Sequence, residues 1–299
     1  MNKYKNIGII ACDLRQVYMA KYLMNKSFNI TLICSENLSH SKEFKESIHS
    51  IIRAGNSANL KIIYEIEEII KLSQVIVTPV PFNKISEFIV TPKFITLLKE
   101  RDDASSILLY SGYIDSEAQI LLDKAKIKYI DYFKSDKLAI FNSIATAEGI
   151  IAEAIISKNT NLHGSKAIIL GYGKCGKTLA DKLKGLNVNV SICARREEEL
   201  ALANSLGFKT INLHNLIMEI KNYEYIFNTI PYMILNEEVL KKVSMNSIIL
   251  DIASTPGGVD KNAANRYNIC VKHSLGIPGK YSPESSGIAI AKDLLERLL

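Results

Sequence analysis

The chain has 299 residues, 47% of them hydrophobic and 23% charged, with a formal net charge of +6. That length and apolar share allow one large or two ordinary buried cores, in a composition typical of globular proteins. The lysines are scattered, and no basic arm is interleaved with aromatic residues, so nucleic acid is excluded as an expected partner.

In chain order, residues 6–11 form a continuous apolar run, 17–25 a helical pattern and 30–34 a second strand. Further short strands are expected at 75–80, 107–111 and 128–132. Continuous apolar runs separated by helical patterns predict a parallel sheet covered on both faces. The first turn, Ala11-Cys12-Asp13-Leu14-Arg15-Gln16, lacks glycines. This predicts a Rossmann relative without a dinucleotide of its own. Residues 142–157, NSIATAEGIIAEAIIS, predict a helix capped by Asn142 or Ser143. A polar loop over 158–166 follows. Strands at 167–170, 188–193, 208–212, 225–229, 247–252 and 269–273 make up the six of a dinucleotide-binding fold. An amphipathic helix is expected over 286–299. The expected architecture is α/β: two Rossmann-like, doubly wound parallel-sheet domains joined by a helix, with a cleft between them. The first covers 1–141 and the second 142–299, with the last helix free to pack back on the first.

The stretch 167–196, AIILGYGKCGKTLADKLKGLNVNVSICARR, carries the most chemistry. It sets G-x-G-x-x-G in the strand–turn–helix–strand context that a dinucleotide requires. Gly171 would permit the tight turn, Gly173 the approach of a pyrophosphate and Gly176 close packing of helix on sheet. Lys174 and Cys175 open the helix whose free N–H groups would face the phosphates. The second strand ends in Arg195 and Arg196, where NAD-preferring folds place a carboxylate. Two guanidiniums suit a 2′-phosphate, so NADP is the expected cofactor, with NAD possible. Alternatively, both arginines are solvated partners of Glu197, Glu198 and Glu199.

Ligands of open α/β sheets lie beyond the carboxyl ends of the strands. In the second domain those ends place Thr229, Ile230 and Pro231 beside the nicotinamide-side ribose and Ala253 or Ser254 near the ring. The alternative for these loops is simple punctuation. In the first domain the ends carry Arg15 and Ser111. The helix start at Asn142, Ser143 and Thr146 is a further candidate receptor for carboxylates. Arg15 could equally pair with Asp13. Glu148, Asp136 and His273 are candidates for a general base, and residue order does not choose among them.

The five cysteines, Cys12, Cys34, Cys175, Cys193 and Cys270, are widely spaced and read as reduced residues of an intracellular protein. Cys175 sits at a helix N-terminus, a position that could lower its pKa. The histidines and cysteines show no metal-ligand spacing, so no metal is expected. No basic-then-apolar leader opens the sequence and no stretch approaches ~18 apolar residues, so a cytoplasmic protein without a membrane segment is expected.

Five segments occur in order: NSIATAEG, HGSKAIILGYGKCGKTLA, NTIPYMILNEEVL, LDIASTPGGVD and GIPGKYSPESSG. Together they closely resemble the family of dipicolinate synthase A subunits from spore-forming bacteria, most densely from about Asn142 onward. The first domain echoes it in Asp13, Arg15 and Gln16 and in Tyr110-Ser111-Gly112. The wider layout is similar to formate/glycerate dehydrogenases and alanine dehydrogenase. The resemblance implies NADP-linked oxidation of dihydrodipicolinate, a dicarboxylate, to dipicolinate in the mother cell during sporulation. It also implies a separate, flavoprotein-like B subunit of dipicolinate synthase as partner, with self-association possible. Ala11-Cys12 departs from the family's glycine-rich first turn. Two other readings stand: an NADP-dependent dehydrogenase of another amino or hydroxy acid, and a non-catalytic dinucleotide-binding subunit.

Overall fold

The structure, a computed structural model, describes residues 4–53 and 56–298. It divides into two compact units, residues 1–141 with 282–299 and residues 142–281. Residues 282–299, which include the last helix, count with the first unit.

The first unit holds a six-stranded parallel sheet: β1 (Asn6–Ala11), β2 (Asn29–Cys34), β3 (Leu60–Ile62), β4 (Val75–Val77), β5 (Leu108–Ser111) and β6 (Lys128–Asp131). Its order is β3-β2-β1-β4-β5-β6. Both faces of β1, β2, β4 and β5 are buried, which is why these strands read as near-continuous apolar runs. Ile7 and Ile9 face one core with Leu23, Leu32 and Tyr110. Ile10 and Ile76 face the other with Phe82, Phe94 and Leu109. The helix Pro283–Leu298 completes the first core with Ile290, Ala291, Leu294 and Leu298. It lies so close to the helix Leu14–Met24 that a Cβ on Gly287 would come within 2.3 Å of the Arg15 carbonyl oxygen.

The second unit repeats the plan with β7 (Lys166–Leu170), β8 (Asn189–Ala194), β9 (Lys209–Asn212), β10 (Tyr225–Asn228), β11 (Ile248–Asp251) and β12 (Cys270–His273). The order is β12-β11-β10-β7-β8-β9, all parallel. The strand order therefore reverses between β7 and β10, and a crevice for a ligand opens at their carboxyl ends.

The long helix starts earlier than expected. It runs Asp136–Ser157, so Asn142 and Ser143 lie inside it and cap nothing. The helix begins just after Ser135, whose Oγ accepts from the Leu138 N–H at 3.4 Å while the Ala139 N–H reaches the Ser135 carbonyl at 2.9 Å. The helix N-terminus expected at 142 as a carboxylate receptor does not exist. Among the described residues this is the one helix long and apolar enough to cross a membrane by length and composition. Of its residues, Ala147, Ile150, Ile151 and Ala154 are buried in the second unit's core, while Ile140, Phe141, Ile144, Ile155 and Ile156 are exposed.

Candidate coenzyme site

The turn after β7 is built by close approach. Gly171 has φ +94°, a left-handed conformation suited to glycine, and its N–H donates to the Cys193 carbonyl at 2.8 Å. A Cβ there would meet Thr229 Oγ1 at 2.5 Å. At Gly176 a Cβ would lie 2.2 Å from the Gly171 carbonyl oxygen, so only glycine lets the helix Lys174–Gly185 sit this near the sheet. Gly173, the N-cap, differs: a Cβ there would meet open space. No side chain caps this helix at Gly173, and a helix N-terminus is a place where an outside anion can meet backbone N–H groups.

Gly171, Gly173, Arg195, Arg196, Thr229, Ile230 and Pro231 border one cavity of about 470 Å³ beside the β7–β10 switch point. Thr229 is committed to the turn: both its N–H and its hydroxyl reach the Leu170 carbonyl, at 3.0 and 2.9 Å. Arg196 pairs with Glu199, whereas Arg195 is exposed and makes no ion pair among the described residues. Lys174, Cys175 and Gly176 belong to the helix start behind the cavity lining. Cys175 departs from expectation, because burial pushes its thiol up and neighbouring Lys174 offsets this only in part. Ala253 is buried, its N–H donating to Asp251 Oδ1 at 3.2 Å, and Ser254 is exposed.

The carboxylate-binding candidates are less open than residue order suggested. Arg15 is 8% exposed and grips Asp13 through two hydrogen bonds of 3.0 and 2.7 Å. Burial opposes the Asp13 charge, but the Arg15 hydrogen bonds and charge outweigh it and hold the carboxyl below its ordinary value. Asp13 also caps the helix Leu14–Met24 in a capping box with Gln16, so a carboxylate already occupies the place of an incoming anion. Ser111 is fully buried at the end of β5, its Oγ without a partner among the described residues. Ser143 Oγ lies 2.7 Å from Thr178 Oγ1, tying the long helix to the fingerprint helix, and Thr146 Oγ1 donates to the Asn142 carbonyl at 2.7 Å.

Of the three base candidates, Glu148 is exposed and bound to Lys182 at 2.8 Å. Asp136 lies in the first turn of the long helix. His273, at the end of β12, has Nδ1 3.0 Å from Asp251 Oδ2. Sequence reasoning missed this pair, since the partners are 22 residues apart and meet only through strand register. It also missed Glu153, which is 7% exposed and accepts from Ser274 Oγ, Lys280 Nζ and Tyr281 OH. Among the described residues, no group of His, Cys, Asp and Glu could hold a metal ion.

A Rossmann-type unit with a glycine cradle at its switch point has the architecture of a dinucleotide-binding domain. Residues 143–263 match the NAD binding domain of the D-isomer specific 2-hydroxyacid dehydrogenases. The chain is similar to the A subunit of dipicolinate synthase from Bacillus subtilis (strain 168), 35% identical over 192 residues. The matched region spans 64% of this chain and 64% of that protein. The crystal structure of the dipicolinate synthase A subunit from Bacillus halodurans superposes with a TM-score of 0.83 at 24% identity, covering 100% of this chain and 99% of that one. The Bacillus subtilis A chain gives 0.79 at 27%, covering 100% and 98%.

Proposed function

We propose that the chain oxidises dihydrodipicolinate to dipicolinate with NADP, as the A subunit of a two-subunit dipicolinate synthase in the mother cell cytoplasm of a sporulating bacterium. The partner would be a separate, flavoprotein-like B subunit. The observation that carries the reading is the glycine cradle, where only Gly176 permits the helix approach and bare Gly173 leaves the helix N-terminus open. The diphosphate would rest on this turn, with Thr229, Ile230 and Pro231 along the nicotinamide half and Ala253 and Ser254 beyond them. Arg195, free of the carboxylate that engages Arg196, would hold the 2′-phosphate.

When bound, the oxidised nicotinamide supplies a hydride acceptor. The chain's own contribution is orientation, which can be worth up to ~7–11 kcal/mol, and removal of a proton. Oxidation of a dihydropyridine ring gains aromaticity and lowers the demand on both. Calorimetry with NADP and NAD, followed by a dihydrodipicolinate assay with and without a B subunit, tests the reading. Binding of NADP and growth of NADPH absorbance are expected. Absence of heat with either coenzyme overturns it, and binding without turnover leaves the chain a dinucleotide-binding subunit.

A further inference from the structure

Asn228, Asp251 and His273 occupy one register position at the carboxyl ends of three adjacent strands, β10, β11 and β12. Asn228 Nδ2 donates to Asp251 Oδ1 at 2.8 Å, and Asn228 Oδ1 is fixed by the Ile230 N–H at 3.1 Å. Asp251 is 1% exposed and also accepts from the N–H groups of Ala253 and Gly258, at 3.2 and 3.4 Å. Its remaining contact is His273 Nδ1 at 3.0 Å. A carboxylate surrounded by donors acts as acceptor, so in the neutral ring Nδ1 is the protonated nitrogen and Nε2 carries the lone pair. Nε2 has no partner among the described residues, and the His273 side chain retains 22% exposure beside a cavity of about 540 Å³. The loop at Gly257 closes over the pair, for a Cβ there would lie 3.0 Å from Asp251 Oδ2 and 3.3 Å from His273 Cε1.

The geometry points to His273 as the proton acceptor of the oxidation, with Asp251 and Asn228 as positioning residues; this rests on the function proposed above. The coenzyme cavity is bordered by Thr229 and Ile230 at the end of β10, two strands and roughly 10 Å from the end of β12 that carries His273. The oxidised nicotinamide, held by the residues that border the coenzyme cavity, would supply the acceptor for the hydride that one ring carbon gives up. The neighbouring ring carbon gives its proton to Nε2, and the electron pair left behind becomes the new ring double bond. The products are dipicolinate, the reduced coenzyme and a protonated His273, which returns its proton to water. Glu148, by contrast, is held by Lys182 on the surface.

The test combines kinetics with nitrogen-15 NMR of the unliganded full chain, the His273 ring being assigned by its loss in H273Q. The wild type is expected to carry its ring proton on Nδ1, and D251N to lose that preference. H273Q should bind NADP and dipicolinate within about threefold of wild type while kcat falls by about 10²–10⁴. Imidazole should restore part of kcat in H273A, a rescue that a purely structural role would not give. The inference is overturned if the wild type turns over and H273Q keeps its kcat, or if the ring proton sits on Nε2. A wild type that binds no coenzyme overturns the proposed function as well, so the two failures are distinguishable.

Discussion

Gly176 faces the carbonyl of Gly171 so closely that an added Cβ would lie 2.2 Å from the oxygen, although four residues lie between them. Gly173, between them, would place its Cβ in open space. Alanine at the two positions should therefore fail in different ways. G176A must shift the helix Lys174–Gly185 off the sheet, an overpacking cost of about 1–3 kcal/mol, and should weaken both folding and coenzyme binding. G173A should keep wild-type stability and lose affinity, because its methyl group occupies the path of the phosphates. Thermal unfolding and calorimetry on both variants separate the effects; equal loss of stability would contradict the assignment.

The two arginines after β8 are not equivalent. Arg196 is engaged by Glu199, while Arg195 makes no ion pair among the described residues. Removing a charge-assisted bond to a 2′-phosphate costs about 1.5–3 kcal/mol, roughly 10- to 150-fold in affinity. R195A should lose that much of its preference for NADP over NAD, and R196A much less. The ratio of the two dissociation constants is the measurement, and an unchanged ratio in R195A would remove the argument for NADP.

Glu153 anchors the long helix to the end of its unit through Ser274, Lys280 and Tyr281. Burial works against its charge, but the three donors and the Lys280 charge outweigh it and bring the carboxyl below its ordinary 4.5. A depressed carboxyl stabilises the fold fully above the ordinary value, and the contribution fades as pH falls through the folded value. E153Q should therefore cost about 1–3 kcal/mol near neutral pH, and the gap to wild type should close in acid below 4.5. Urea unfolding on either side of that value checks the sign; a gap that widens in acid would contradict it.

Burial pushes the Cys175 thiol up, so little thiolate exists at mildly alkaline pH. Iodoacetamide should modify exposed Cys270 well before Cys175, as read by peptide mass spectrometry. Fast alkylation of Cys175 would restore the activated thiol that its place in the sequence suggested.

What was legible in the residues follows physical range. The strands β1, β2, β4, β5, β7, β8, β10 and β11 showed because burial on both faces demands near-continuous apolar runs, and the glycine turn because its spacing is local. The strand β3 did not: it is three residues long and partly exposed, leaving no such run. The helix start at Asp136 was missed because the pattern NSIATAEG resembles a cap, whereas the Ser135 hydroxyl already serves the first turn. The Asn228–Asp251–His273 line and the Glu153 cluster join residues up to 128 apart, and only the sheet register and helix packing bring them together.

The last helix is where the first unit's stability concentrates. Asp293 is 4% exposed and accepts from Tyr110 OH at 2.7 Å, Ser135 Oγ at 3.2 Å and Arg297 Nε at 2.6 Å. Around it Ile290, Leu294 and Leu298 are buried in the same core as Ile7 and Leu23. Exposing three such side chains costs about 1.5–3 kcal/mol each, a sum comparable to the ~5–15 kcal/mol by which whole domains are stable. Removing the residues after Ser282 should therefore unfold the first unit outright, whereas Y110F, which deletes one donor to a buried carboxylate, should cost only about 1–3 kcal/mol. The second unit, residues 142–281, contains none of these contacts. It should keep a cooperative melting transition and its affinity for the dinucleotide, as calorimetry and circular dichroism on the truncated chain would register. A truncated chain that retains the native signal of both units would mean that the buried area of this helix does not convert into stability at the expected rate.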